Sequence, residues 1–356
     1  MIDSNKTSFR VRDYAETLAI LDHYRKSAGI TRLADITHLD CTGLPVFTAI
    51  RPRAKSLSTS QGKGLCIEAA KCSALMEAIE VYFAENLSPE IMNQSLGELD
   101  KNKLPYLSPN DLNQGIIYTK DNEGRNWVSA HALFLKKKVW VPFAEFSLDS
   151  TLSEVLIYSP NTTGLAGGNT YQEALLHSVL ELIEREAPRQ VFEVAPMQHP
   201  LVQILNPFFD YKISYKKNSY DLPSFEVLIK SKNPFDNQIL FKGNGCHLNK
   251  AIALNRAITE AIQSRVTIIA GSRDDILNSK YDIATVDWNK ASEKADEWCN
   301  FADITDYAID DIEQALQCLY QKIKQQDHDL LVFNYHDEDI SVLKSKIISN
   351  GLIHHV

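Results

Sequence analysis

The sequence predicts a mixed α/β (α+β) protein, on three observations. Amphipathic helix patterns alternate along the chain with short strand-like runs. The composition, 44% hydrophobic and 23% charged, supplies ample material for a globular core. A plan of glycine turn, small residues and a helix bearing paired acid or amide groups occurs three times. At 356 residues the chain has the length of one large domain or two ordinary ones. No low-complexity stretch or clean linker divides it. One composite domain over residues 30–356 is therefore expected, behind an N-terminal helical segment over residues 1–29.

The elements follow in order. Residues 13–29 place Leu18, Leu21 and Tyr24 at helical spacing. RLADIT around Leu33 and LPVFTAI over residues 44–50 read as strands. Residues 87–114, rich in Pro, Asn and Ser, read as loop. GIIYT, NWVSAHALFL and VWVPFAEF read as an antiparallel meander, and SFEVLIKS and NQILFKGNGC as a further set of strands. After a polar, acidic stretch over residues 273–306 come a helix, DDIEQALQCLYQKIKQQ, and a strand, LLVFNYH.

Charge and cysteine usage narrow the function classes. A net charge of -9 argues against a global nucleic-acid-binding surface, although RPRAK and KKK are local basic runs. KKK, residues 136–138, reads as a solvated turn before a strand. The six cysteines form no CxxC pair, which argues against a zinc ribbon or thioredoxin-type site and suggests reduced thiols. The polar N-terminus lacks a signal-peptide core, and no run approaches the ~18 apolar residues of a membrane span. A cytoplasmic protein that binds neither membrane nor nucleic acid is the expectation.

The chemistry is concentrated in the three cassettes. GKGLCIEAAKCSALMEAIE carries Glu77 and Glu80 behind Gly64. GGNTYQEALLHSVLELIER carries Glu181 and Glu184 behind Gly168, at the same two offsets. In GNGCHLNKAIALNRAITEAIQSR, Glu260 and Gln263 follow Gly245 with the same mutual spacing but after a slightly longer lead. Positions three apart share a helix face. A single such pair would read as solvent-facing acid. Here Ala70, Ala74, Leu75 and Ala78 surround one pair, and Leu176, Val179, Leu180 and Ile183 the other. Helices this apolar are buried, and buried carboxylates need a partner or a cation. Five carboxylates and Gln263 suit a hard cation with oxygen ligands, and Mg²⁺ together with phosphates is the natural occupant. Lys63, Arg185, Arg256, Arg265 and Arg273 are nearby cations for phosphate, and the glycine turns offer backbone N–H groups. The site is not a Walker loop, because Leu57 and Gly64 stand where that motif needs Gly and Ser or Thr. No GxGxxG fingerprint is present either.

Three long segments carry a resemblance: SLSTSQGKGLCIEAAKCSALMEAIE, GLAGGNTYQEALLHSVLELIEREA and GCHLNKAIALNRAITEAIQSRVTIIAGSRDD. They resemble the signature blocks of the YcaO family, in family order, and the likeness covers roughly residues 30–350. The resemblance implies a YcaO-like fold, with mixed and antiparallel sheets and the three cassettes around a nucleotide cleft. It implies ATP and Mg²⁺ as cofactors. It further implies ATP-driven activation of a peptide backbone amide oxygen, giving an azoline with a neighbouring Cys, Ser or Thr, or a thioamide with an external sulfur donor. Carried over position by position, the nucleotide contacts are Lys63, Ser73, Glu77, Glu80, Asn169, Glu173, Glu260, Gln263 and Arg265. The catalytic group is Glu181, Glu184 and Arg185, and the metal ligands are Glu77, Glu80, Glu181, Glu184 and Glu260.

Val81 stands where many members have Arg, so one phosphate-neutralising cation is missing there or comes from elsewhere. With RLADITHLDCTGLPVFTAIRPRAK before it, this block is similar to members that work with a TfuA partner in thioamide formation. The end, SNGLIHHV, lacks the Pro-x-Pro-x-Pro of azoline-forming cyclodehydratases. Thioamidation of a peptide or protein substrate, with a TfuA-type or E1-like partner, is the expectation. A cyclodehydratase of a ribosomal-peptide (RiPP) pathway and a non-catalytic nucleotide-binding maturation accessory are the alternatives. A homodimer is also among what the resemblance implies.

Outside the cassettes, His131 and His177 read as hydrogen-bonded core residues, and Cys66 and Cys72 as small core residues. Cys246-His247 is a candidate substrate contact, His354 and His355 read as a frayed end, and Asp274 and Asp275 as a helix cap or an orienter of Arg273.

Overall fold

A computed structural model describes residues 9–112, 122–158, 160–236, 239–273, 295 and 297–355. In chain order the first elements are α1 (Tyr14–Ser27), β1 (Arg32–Asp35), β2 (Val46–Ile50), β3 (Thr59–Lys63) and α2 (Ile67–Glu85). Next come β4 (Ile91–Gln94), α3 (Leu96–Lys101), β5 (Tyr106–Leu107), α4 (Pro109–Leu112), β6 (Arg125–Ala132), β7 (Lys137–Pro142), α5 (Phe143–Phe146) and α6 (Ser153–Tyr158). Then follow β8 (Leu165–Gly168), α7 (Tyr171–Glu184), β9 (Gln190–Val194), α8 (Pro200–Leu205), β10 (Phe209–Lys217), β11 (Ser224–Ser231), β12 (Phe241–Cys246) and α9 (Lys250–Ala270). The chain closes with β13 (Glu297–Cys299), α10 (Ile312–Gln325), β14 (His328–Asp337), β15 (Ser341–Ser349) and β16 (Ile353–His354).

These elements form two compact units. The first comprises Met1–Pro52, Leu57–Ala78 and Ile183–Ala315, the second Arg53–Ser56, Ile79–Leu182 and Leu316–Val356. In the first unit, β1, β2 and β3 form an antiparallel sheet, and a second sheet runs in the order β12-β11-β10-β9-β13, antiparallel except where β13 joins β9. Its core packs Phe225, Val227, Ile229 and Phe241 with Ala253, Ala257, Ile258, Ala261 and Ile262 of α9. In the second unit a mixed sheet runs β16-β5-β7-β6-β14-β15-β8, with β4 paired to β6. Val128, Ala130, Val139, Val141 and Leu331 lie in its core.

Helix ends follow the sequence chemistry. Asp13 accepts from Glu16 N at 2.8 Å, and the Glu16 carboxylate accepts from Asp13 N, a reciprocal capping box that starts α1. Asn249 accepts from Ala251 N and Ile252 N to open α9, which ends at Gly271 in the left-handed region, φ 57°.

The segment expected as loop over residues 87–114 instead contains β4, α3, β5 and α4. The reason is local. Ser95 and Glu98 make a capping box, and Leu96, Leu99 and Tyr106 pack on buried Trp127. VWVPFAEF turns helical after Pro142, where Phe143 and Phe146 are buried. GIIYT falls outside the described residues. The end expected to fray is held: the His354 ring stacks on Tyr106 at 4.5 Å and His355 Nε2 lies 2.8 Å from Asp100 Oδ1. Lys136 sits in a left-handed turn, but Lys137 and Lys138 already belong to β7, so only the first residue of KKK lies in the expected turn, and all three are exposed. No helix among the described residues is long and apolar enough to cross a membrane.

Candidate nucleotide site

Apart from Gly64, which follows β3, the cassette glycines lie in strands rather than turns, a correction to the expected phosphate-cradling loops. Gly62 belongs to β3, Gly167 and Gly168 to β8, and Gly243 and Gly245 to β12. A Cβ on Gly62 would fall 2.0 Å from Ala74 N, one on Gly168 2.4 Å from Ala174 N, and one on Gly243 2.2 Å from Ala257 O. In each cassette, therefore, glycine in the strand and alanine in the helix let the strand lie directly on the helix backbone. The small residues set the depth at which the acids emerge.

The strands' amide groups meet the helices' carboxylates. In the first unit Asn244 N donates to Glu260 at 3.2 Å and Cys246 N to Glu184 at 3.1 Å. In the second unit Gly167 N donates to Glu80 at 2.5 Å and Gly164 N to Glu181 at 3.2 Å. Charge-assisted bonds of this kind offset much of the cost of burying a carboxylate.

The first unit adds side-chain charge. Lys63 Nζ donates to Glu260 Oε2 at 2.8 Å. Glu184 is 5% exposed, and burial pushes its carboxyl up. The charge of Glu260 pushes the same way, against Arg256, Arg185 and Lys63. Burial also acts upward on Glu260, yet Lys63 and the Asn244 amide hold that carboxyl below the ordinary carboxylate value. Of the two acids, Glu184 is the one that takes up a proton first as pH falls. Arg185, half-exposed, stands 3.8 Å from Glu184. Beside Glu260 opens a pocket of about 480 Å³, lined among others by Gln61, Glu77, Lys242, Gln263 and Arg273. Glu77 of the first cassette and Glu260 and Gln263 of the third are therefore brought to one cavity. On α2, Ser73, Glu77 and Glu80 form a half-buried stripe along a helix whose Ala74, Leu75, Ala78 and Ile79 are buried.

Other predicted residues have structural partners. Asn169 Nδ2 lies 3.2 Å from Glu173 Oε2, and both residues are buried in the second unit. Arg265 is buried between Asp40, at 2.9 Å, and Asp236, at 3.1 Å, with its guanidinium over Phe209 and Phe241. Val81 is buried. His177 is half-buried, whereas His131 is exposed, contrary to its reading as core. All six cysteines are free; Cys72 is buried and Cys66 half-buried. Cys246 is fully buried and burial raises its thiol, which makes it a poor nucleophile. Asp274 and Asp275 fall outside the described residues. The sequence reading passed over Gln61 and Lys242, both on the pocket wall. The only signal for Gln61 was its place directly before GKG.

The donor set fits Mg²⁺. Among the described residues no three His, Cys, Asp or Glu side chains already stand together as a metal site. Mg²⁺ characteristically takes only one or two carboxylates and completes its shell with phosphate oxygens and water. The mutual repulsion of buried Glu184 and half-buried Glu260 is what a divalent cation would relieve.

A family profile described as "YcaO cyclodehydratase, ATP- and Mg2+-binding" matches residues 61–353. The chain belongs to the YcaO family, and its cofactors are ATP and Mg²⁺. An uncharacterized protein of Mycobacterium tuberculosis is 32% identical over 76% of this chain, which spans 65% of that relative's length. An uncharacterized protein from the tfuA 3' region of Rhizobium leguminosarum bv. trifolii is 31% identical over 77% of this chain and 72% of its own length. The solved YcaO from Methanopyrus kandleri, bound with AMPPCP and Mg²⁺, shares the fold with a TM-score of 0.74 at 18% identity, over 97% of this chain and 93% of that one. A heterocyclase in complex with substrate and cofactor does so with a TM-score of 0.74 at 21% identity, over 97% of this chain and 53% of that one.

Proposed function

We propose that the chain, with residues 30–356 as its catalytic domain, uses Mg-ATP to phosphorylate a backbone amide oxygen of a peptide. The product we assign is a thioamide, made with a TfuA-type partner. The observation that carries the ATP reading is the pair of buried Glu184 and half-buried Glu260 with Lys63, set beside a pocket that also takes Glu77 and Gln263. The thioamide reading is supported by the relative from the tfuA region and by Val81 in place of the common Arg.

The chemistry follows from the poor leaving ability of an amide oxygen. Transfer of the γ-phosphoryl group to that oxygen releases ADP and converts the oxygen into part of a phosphate. Sulfur from a sulfide-level donor then adds to the carbon; the C–S bond forms, the C–O bond breaks and phosphate leaves, with no net oxidation. The protein's task is positioning and charge stabilisation, so a covalent nucleophile is unnecessary. Mg²⁺, when bound, shields phosphate oxygens and the charge that develops on them. In this reading Glu77, Glu184 and Glu260 hold the metal. Lys63, Arg185 and Arg273 neutralise phosphate, while Ser73 and Gln263 orient the nucleotide. Glu80, Glu181, Asn169 and Glu173 join the set through the family resemblance, and Arg265 supports it from its ion pairs with Asp40 and Asp236.

Azoline formation is the second reading, favoured by the cyclodehydratase description of the family profile. Incubation with partner, peptide, Mg-ATP and a sulfur source separates the two. Thioamidation raises peptide mass by exchange of O for S, and cyclodehydration lowers it by one water. No ATP consumption with any partner would sink both. A non-catalytic accessory would keep its biological effect in Glu184→Gln, whereas the enzyme would lose turnover while staying folded.

A further inference from the structure

His131 and Lys136 have no part in the nucleotide site, yet the second unit brings them to one cavity. Sheet register does this. His131 of β6 pairs with Val332 of β14, so their side chains share a face, and Asn334, two residues on, shares it too. The other face is the packed core of Ala130, Ala132 and Leu331. Ser345 of β15, the partner of Val332 on its other side, meets Ser178 of α7. The first residue of α7, Tyr171, then borders the same face. Here opens a pocket of about 330 Å³, lined among others by His131, Leu133, Lys136, Tyr171, Val332 and Asn334.

The wall that carries Lys136 is pre-set. Asp329, 1% exposed, accepts from Phe134 N at 2.9 Å and from Leu135 N at 3.0 Å, and so clamps the turn between β6 and β7. Lys136 ends that turn with φ 55°. His131, Lys136 and Asn334 are exposed and Tyr171 is half-buried, so a ligand can reach all four. None of the four side chains makes a hydrogen bond or ion pair with another described residue.

The charge of the cavity selects its ligand. None of the described lining residues is acidic. Lys138, opposite His131, is taken by Glu90 at 3.4 Å. Asp337, whose charge bears on Tyr171, is engaged by the Ser341 hydroxyl. The ammonium of Lys136 therefore stands beside phenol, imidazole and carboxamide groups that can each donate. One ammonium with neutral donors matches a monoanion, whereas a phosphate dianion calls for guanidinium groups or a nest of backbone N–H groups. Leu133 and Val332 add an apolar wall that suits a carbon body.

We propose that this cavity is a carboxylate-binding site, in which Lys136 pairs with the anion and Tyr171 and Asn334 donate hydrogen bonds to it. The carboxylate belongs to a free short-chain aliphatic acid or to an acidic residue of an incoming polypeptide. The cavity shares no lining residue with the pocket beside Glu260, so the proposal stands apart from the nucleotide reading.

The test is a ligand-observed NMR titration of the intact protein at about pH 7.5, where carboxylates are ionised. The probes are N-acetyl-Gly-Glu-Gly-amide, its Gln counterpart, sodium propionate and inorganic phosphate. The Glu peptide or propionate is expected to bind at least roughly tenfold more tightly than the Gln peptide. Lys136→Gln should abolish that preference, and Tyr171→Phe should weaken carboxylate binding roughly fivefold, with circular dichroism unchanged in both. Propionate binding as tightly as the Glu peptide assigns the site to a free acid; tighter binding of the peptide assigns it to an acidic residue. Equal binding of the Glu and Gln peptides without binding of propionate overturns the proposal. So does a carboxylate preference unchanged in Lys136→Gln, phosphate binding more tightly than either carboxylate, or no binding by any probe.

Discussion

The acids of the two units share a sequence plan but not an environment. In the second unit Glu80 and Glu181 rest on the amides of Gly167 and Gly164. In the first, Glu184 and Glu260 add to such amide bonds a mutual repulsion and a contest among Lys63, Arg185 and Arg256. Backbone amides are fixed partners that support a carboxylate in one state. Ionised side chains can exchange partners when phosphate and metal arrive. Glu181 also acts on an ionisable side chain, the buried Lys344, so the units differ in sign: like charges face each other in the first, opposite charges in the second.

Substitutions at the mutually repelling acids of the first unit should cost the most activity. Glu260→Gln releases Lys63 and removes a proposed metal ligand; ATP turnover is expected to fall by roughly 10²-fold or more, with circular dichroism unchanged. A variant with near-normal turnover would return Glu260 to a structural role.

The close strand–helix contact common to both units is tested by Gly62→Val. The added side chain would meet Ala74 and Ala70 backbone, at 2.0 and 2.3 Å for Cβ alone. A stability loss of about 3 kcal/mol is expected in denaturant titration. A neutral result would show that β3 and α2 have slack between them.

Lys344 probes the second unit. Its ammonium group is buried in the second unit and donates to the carbonyls of Glu145, at 3.0 Å, and Asn161, at 2.7 Å. Burial pushes it down to about 7 from 10.5. The unfolded chain therefore binds more protons between those values, and this group's contribution to stability is full above about 10.5 and lost as pH falls through about 7. Lys344→Met should flatten that slope and cost about 2 kcal/mol, because two buried carbonyls lose their donor.

The smallest effect is a pH dependence of ligand binding. Burial and Glu260 raise Glu184, and metal binding requires its deprotonated form. Mg-ATP affinity should rise with pH above the ordinary carboxylate range, and Glu184→Gln should remove that part of the rise. A rise unchanged in the variant would assign it elsewhere.

Much of this was legible in the sequence because the decisive patterns are local. The spacing of Glu77 and Glu80, and of Glu181 and Glu184, exposes a helix face directly. The meaning of the glycines was not legible. A glycine before a helix reads as a turn, and only the pairing of β3 with β2 and of β12 with β11 shows that Gly62 and Gly243 are strand residues pressed on helices. The elements within residues 87–114 were hidden for a similar reason. Their apolar residues are few, and they are buried by Trp127, which is distant in sequence.

The central claim is that the peptide's own amide oxygen is phosphorylated. A substrate peptide carrying ¹⁸O in the reacting amide, turned over with unlabelled ATP, tests it most directly. The account predicts ¹⁸O in the released inorganic phosphate, one label per modified amide. Unlabelled phosphate accompanying full peptide conversion would contradict it.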